Sequence, residues 1–155
     1  MCASPEFSRN PGQMDYTHAR YVPVINCVIK NNDKILLVQR SEKMQYYPNY
    51  WNGISGFLDD NQSLEEKVRE EIREEIGLSD EHILSINQVG LFEYEEVQYN
   101  KVWITHPVLV EVNSGHIKTD WEAQDYKWVT LDAAKTFNIL PGFEKVLELV
   151  EYYLV

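Results

Sequence analysis

The segment that most constrains this chain runs from Gly56 to Leu78, GFLDDNQSLEEKVREEIREEIGL. It announces a helix at both ends. Ser63 is a good N-cap, Glu66 three residues later completes a capping box, and Gly77 marks the C-terminal stop. Leu64, Val68, Ile72 and Ile76 recur every fourth residue and form one apolar stripe. On a helix advancing about 100° per residue, with Leu64 at zero, that stripe reaches to about 120°. Glu71 then falls at about 340°, Glu75 at about 20° and Glu74 at about 280°, while Glu66, Glu70 and Arg73 fall at roughly 180 to 240°. The acids therefore do not form one solvated face. Glu71 and Glu75 turn toward the body of the protein with Glu74 beside them, and Glu66 and Glu70 are expected to look outward. Like charges at i and i+4 repel, more strongly when partly buried. A divalent cation that favours oxygen ligands, Mg²⁺ or Mn²⁺, can offset that repulsion. So can Arg40, Arg69 or a backbone donor.

Around this helix the pattern alternates strands and helices. Tyr21 to Lys30 and Lys34 to Arg40 read as two strands joined by an Asn-Asn-Asp turn. Residues 41–56 read as an irregular segment crowded with aromatics and broken by Pro48, Gly53 and Gly56. After the helix, residues 82–96 and 101–112 read as two long strands, and Tyr126 to Val129 as a short one. Residues 131–137 read as helical. Pro141 is expected to open a last helix with Phe143, Val146, Leu147, Val150 and Leu154 on one side. The implied class is α/β, a mixed sheet with helices on both faces. Residues 1–13 read as a flexible leader or a cloning remnant, with Met14 as the natural start, ahead of a single domain over 14–155.

The formal net charge of −11 argues against a nucleic-acid groove or an anionic membrane surface, both of which reward basic patches. It does not exclude phosphate chemistry in which cations supply the positive charge. No apolar run is long enough to span a bilayer and no signal-peptide pattern is present. Cys2 lies in the leader and Cys27 in an apolar run, so a disulfide is not expected. These features point to a soluble, reducing, cytoplasmic setting. The four His residues, His18, His82, His106 and His116, lack ligand spacing. Exposed strands and the aromatic segment allow a homodimer without requiring one.

The Gly56–Leu78 segment resembles the box of the Nudix hydrolases, G-x5-E-x7-R-E-U-x-E-E-x-G-U, with U a bulky aliphatic residue. Gly56, Glu71, Ile72, Glu74, Glu75, Gly77 and Leu78 match it. Two positions depart: Gln62 stands in place of the first Glu and Glu70 in place of the Arg. The resemblance spans most of Tyr21 to Val155 and implies a Nudix-type α/β/α sandwich. It also implies a metal-dependent pyrophosphohydrolase acting on a small nucleoside diphosphate derivative. Glu71, Glu74 and Glu75 are then the metal-binding carboxylates, and the Ser55 carbonyl is a further ligand. Glu122, six residues before Trp128, is similar to acids that family members recruit from outside the box; Asp125 is the fallback. Water attacks one phosphorus, and Glu71 or Glu122 accepts its proton, with Glu74 counted in the catalytic set. The family's Arg and first Glu are understood to brace the catalytic carboxylates, so that brace is altered here.

Tyr46, Tyr47, Tyr50 and Trp51 can stack on a base or pack against the sheet. Tyr94 resembles a downstream Tyr of the dinucleoside-polyphosphate hydrolases. A binding module of the same fold with weak or no turnover is the main alternative, with Gln62 and Glu70 in its favour. An isoprenyl-diphosphate isomerase-like enzyme ranks below it, because no Cys is placed as a nucleophile.

Overall fold

The structure is a computed structural model that describes residues 16–58 and 61–155. Residues 1–13, the expected leader, and Met14 lie outside the described residues.

Two strands organise the fold. Strand β1 (Tyr21–Asn31) and strand β7 (Lys101–Val112) lie side by side and parallel, with Ile25 opposite His106 and Val28 opposite Leu109. Each is longer than any of its antiparallel partners and therefore carries two in succession. Along β1, strand β4 (Ile54–Phe57) pairs with Val24 to Cys27, and strand β2 (Lys34–Arg40) pairs only at Lys30 and Asn31. Along β7, strand β6 (Phe92–Glu96) takes Lys101 to Thr105, and strand β5 (Ile83–Gln88) takes Val108 to Val112. Strand β2 in turn pairs with the two-residue strand β3 (Trp51–Asn52) and with strand β8 (Ala123–Val129). The result is the expected mixed sheet.

Alternation along β1 feeds two cores. Val22, Val24 and Val28 join the cluster under helix α3 (Phe143–Leu154). Ile25, Cys27 and Ile29 join the cluster under helix α1 (Leu64–Ile76). Successive side chains of a strand point to opposite faces, so a strand apolar at every position must be covered on both. Cys27 is fully buried, as its apolar surroundings suggest. No helix among the described residues is long and apolar enough to cross a membrane.

Helix α1 follows its sequence closely. Ser63 Oγ accepts from the Glu66 amide, the Glu66 carboxylate accepts from the Ser63 amide, and Gly77 closes the helix at φ 70°. Other segments differ from expectation. Residues 82–96 break into β5 and β6, because β7 is paired by one in its second half and by the other in its first. The stretch read as irregular supplies β3 and β4, which form only because β2 and β1 are there to pair with them. Helix α2 is four residues long, Leu131–Ala134, and is capped by Thr130. Helix α3 starts after Gly142, which sits at φ 94°, and its Leu154 is exposed rather than part of the buried side.

Candidate active site

Strand β4 presents neighbouring residues to opposite faces of the sheet. Gly56 faces α1, and Ser55 faces the α3 side. A Cβ at Gly56 would lie 2.7 Å from Glu71 Cδ and 2.8 Å from Oε1. The Glu71 carboxylate thus rests directly on the backbone here, which explains why this position takes glycine. Glu71 is only 13% exposed. Glu75, one turn on, is half-buried, and its Oε2 is a buried atom without a hydrogen-bond partner. The inward aim of Glu71 and Glu75 deduced from the helical wheel is therefore observed, while Glu74 is exposed beside them.

Beyond Glu75 lies a cleft lined by Val38, Arg40, Gly53, Glu75, Asp120 and Glu122, among others. Glu122 is brought there by backbone bonds: its carbonyl accepts from the Ser41 amide at 2.8 Å, and its amide donates to Asp120 Oδ1 at 2.9 Å. The Asp120 amide donates to the Glu75 carbonyl at 3.2 Å, tying this loop to the end of α1. Asp120 was missed by sequence reasoning. Its only signal is that it precedes Glu122 by two residues in a loop where any acid reads as solvated. Asp125, the fallback, is exposed on β8 and accepts from the Tyr126 amide.

Crowding of acids shapes their titration. Burial raises the Glu75 carboxyl well above the ordinary range, and the charge of Glu122 and the Glu71 contact add to it. Burial also pushes Glu122 up to about 7, reinforced by the charges of Asp120 and Glu71 and opposed by Arg40. Burial raises Asp120 and Glu74 as well, with Glu71 contributing to each. Ionising these groups together requires added positive charge.

The positive charge supplied on α1 itself is Lys67, which the sequence reading did not single out. It is 1% exposed, with Nζ 3.2 Å from Glu70 Oε2 and 3.3 Å from Glu71 Oε1. Glu70 is consequently drawn in to 18% exposure rather than pointing outward with Glu66, a correction to the helical-wheel expectation. Of the two arginines, Arg40 lines the acid cleft and only Arg69 lies away from it. Arg69 bonds Glu65 and approaches Asp80 on the outer face, and Arg40 Nε donates to the Tyr46 carbonyl.

The donor set suits a hard cation: carboxylate oxygens, one of them buried with an unpartnered oxygen, and backbone carbonyls. Among the described residues no three such side chains are yet drawn close enough together to hold a metal. Glu75, Asp120 and Glu122 line the cleft, Glu71 rests on Gly56 one turn away, and a cation would have to draw them together.

On the α3 side of the sheet lies a second cleft. Asn26, Ser55, Tyr94, Trp103, Thr105 and Phe143 are among its lining residues. Asn26 Nδ2 donates to Asn52 Oδ1 at 3.1 Å, and Asn52 Nδ2 donates to Ser55 Oγ at 3.4 Å. Asn26 Oδ1 is, with Glu75 Oε2, one of two buried side-chain oxygens without a partner among the described residues.

Of Tyr46, Tyr47, Tyr50, Trp51 and Tyr94, only Tyr94 lines this cleft. Tyr46 and Tyr47 are buried in the core, Tyr47 at 1% exposure. The Tyr47 hydroxyl accepts from Trp103 Nε1 and donates to Glu96, and its ring meets Tyr50, Tyr99 and Trp103. Tyr50 packs against that cluster, and Trp51 meets Phe137 edge to face. The Tyr47 ring packs inside with its hydroxyl satisfied by Trp103 and Glu96, and the other three rings pack against the same core cluster.

Comparison with known proteins agrees with this arrangement. The NUDIX domain family matches residues 20–150. The chain is 28% identical over 125 residues to the 8-oxo-dGTP diphosphatase of Buchnera aphidicola, covering 81% of this chain and 85% of that protein. It is 22% identical over 128 residues to the uncharacterized Nudix hydrolase YvcI of Bacillus subtilis, covering 81% and 76%. Among solved structures, an Ap4A hydrolase binary complex from C. elegans superposes with a TM-score of 0.70 at 21% identity, over 86% of this chain and 97% of that one. The NUDIX domain of Shewanella oneidensis NrtR complexed with ADP ribose superposes with a TM-score of 0.73 at 17% identity, over 97% and 96%. With the helix of inward carboxylates seated on Gly56 and the match covering the whole sheet, the chain belongs to the NUDIX family of pyrophosphohydrolases.

Proposed function

We propose that this protein cleaves a diphosphate linkage in a small nucleoside diphosphate derivative by water attack at phosphorus, with Mg²⁺ or Mn²⁺ bound. The observation that carries this reading is the Glu75 carboxylate, whose buried Oε2 lacks a hydrogen-bond partner in a cleft shared with Asp120 and Glu122. Glu71, Glu74, Glu75 and the Ser55 carbonyl would hold the cation. When bound, it supplies Lewis-acid neutralisation of the diphosphate charge. Glu122, held by its backbone in the cleft beside Glu75, is one candidate to accept the water's proton. Glu71 is the other base candidate, and its position against Gly56 limits how far it can swing. Asp120 fixes the Glu122 backbone.

The substrate's organic moiety would lie in the cleft that Tyr94 and Asn26 line, reached across Ser55 from the acid side. The relatives named above include an 8-oxo-dGTP diphosphatase and an Ap4A hydrolase, so nucleoside triphosphates and dinucleoside polyphosphates are the first substrates to try. Phosphate or pyrophosphate release is measured over both classes and over nucleotide sugars, with Mg²⁺ and with Mn²⁺. Turnover of at least one class that stops on chelation is expected. No turnover on any, together with no measurable affinity for either metal, would sink the reading. The departures at Gln62 and Glu70 favour a second reading, a nucleotide-binding module with little turnover; binding without release would single it out.

A further inference from the structure

We infer that Lys67 is a positioning residue for Glu71, and that Lys67 with Glu70 forms the brace this helix uses in place of an Arg at 70 and a Glu at 62. The inference rests on the metal-binding role proposed above for Glu71. Lys67 occupies about 300° on the helical wheel, between Glu70 at about 240° and Glu71 at about 340°. Lysine is almost never fully buried unless it is paired. Here it is 1% exposed and reaches both carboxylates, 3.2 Å to Glu70 Oε2 and 3.3 Å to Glu71 Oε1. An ammonium has three donors, so one Nζ can serve both. Glu71 is thus held from two directions: the Gly56 backbone, where a Cβ would come within 2.8 Å of Oε1, and the Lys67 ammonium. The order of charges is inverted from that of the resemblance, with the cation at 67 and an anion at 70, but an acid–cation pair still abuts the carboxylate to be positioned.

A lysine that only balanced charge would compete with a bound cation, and removing it would raise metal affinity. A lysine that positions Glu71 has the opposite effect. The double variant Lys67→Met/Glu70→Gln separates the two, because it removes one charge of each sign and leaves the net charge unchanged. Mn²⁺ affinity of the full chain is read by electron paramagnetic resonance, folding by circular dichroism, and kcat and KM on whichever substrate the release assay identifies.

The double variant is expected to bind Mn²⁺ about 10- to 100-fold more weakly than wild type and to lose kcat by a similar factor, with KM changed less than about threefold. Lys67→Arg should restore Mn²⁺ affinity to within about threefold of wild type, since it returns the charge to the same place. A folded double variant that binds Mn²⁺ as well as wild type, or better, overturns the inference. Should the double variant not fold, Lys67→Gln decides by the same titration, weaker binding supporting the inference and equal or tighter binding overturning it. Wild type with no Mn²⁺ affinity would overturn the metal reading of the site, a failure visible before any variant is made.

Discussion

The two clefts lie on opposite faces of one sheet and meet at a single strand. On the α1 face the lining is acidic: Glu75, Asp120 and Glu122, with Glu71 seated on Gly56. On the α3 face it is aromatic and amide: Tyr94, Trp103, Asn26 and the Ser55 hydroxyl. Strand β4 serves both because adjacent residues of a strand point in opposite directions. Each cleft also contains one buried oxygen without a partner, Glu75 Oε2 in the first and Asn26 Oδ1 in the second. A carboxylate in that state suits a cation, and a neutral amide suits a hydrogen-bonding organic group. Charge chemistry and ligand selection are therefore separated by the thickness of a strand.

That division can be broken by substitution. The largest effect is expected for Glu75→Gln, which keeps the shape and removes the charge. Metal-dependent turnover should fall by about 100- to 1,000-fold, as for loss of a main electrostatic element of a site. The metal-free protein should melt no lower than wild type, because the burial that raises the Glu75 carboxyl no longer opposes ionisation. Retained turnover in steady-state assays would remove Glu75 from the acid cleft's function.

Next in size is a pH effect on the metal-free protein. Glu122 titrates at about 7 when folded against an ordinary value of 4.5. Between those values the folded state binds more protons at this group than the unfolded one, so its contribution to stability is fullest below pH 4.5 and is lost as pH rises through 7. Glu122 alone sets an upper bound of about 3 kcal/mol on that loss. The raised Glu75 and Asp120 act in the same direction. Urea unfolding across this range, without metal and with saturating Mg²⁺, should show the slope in the first case and a flatter profile in the second. A flat metal-free profile would contradict the crowding of acids described here.

Gly56→Ala comes third. Its Cβ meets the far end of a flexible side chain, so the Glu71 carboxylate moves and the fold need not. Turnover and Mn²⁺ affinity should drop about 10- to 100-fold while the melting temperature stays close to wild type. On the other face, Tyr94→Ala should raise KM by roughly fivefold, about 1 kcal/mol of ring contact, and leave Mn²⁺ affinity unchanged. Movement of both parameters would mean that the clefts are not separate. The smallest effect belongs to the outer side of α1, where Arg69 reaches Glu65 and Asp80 in solvent. Arg69→Ala should change stability by less than about 0.5 kcal/mol in thermal melts and leave turnover alone.

Helix α1 was legible because its signals are local. The capping box joins Ser63 to Glu66, the stop is one glycine, and the inward aim of Glu71 and Glu75 follows from 3.6 residues per turn. Lys67 shows where such reasoning ends. Its angle on the wheel can be computed, but whether a lysine there reaches water or is sealed beneath carboxylates depends on what packs over it. Glu70 was misplaced for the same reason: its angle is outward, and the buried ammonium draws it in.

Tyr46 and Tyr47 illustrate the point at longer range. Their burial depends on Trp103, Glu96 and Tyr99, about fifty residues away in sequence, which complete the hydrogen bonds and ring contacts of Tyr47. Strands β3 and β4 likewise exist through partners in β2 and β1.

The sequence by itself determined the acidic helix, the apolar runs of the central strands and the identity of the carboxylates turned inward, because each depends on periodicity within a few turns of chain. Only the tertiary structure decided that Asp120 joins Glu122 beside Glu75, that Lys67 is the cation against Glu71, and that one strand divides acid from aromatic cleft. Those outcomes depend on which distant segments pack together, and burial and partner choice are properties of the packed whole.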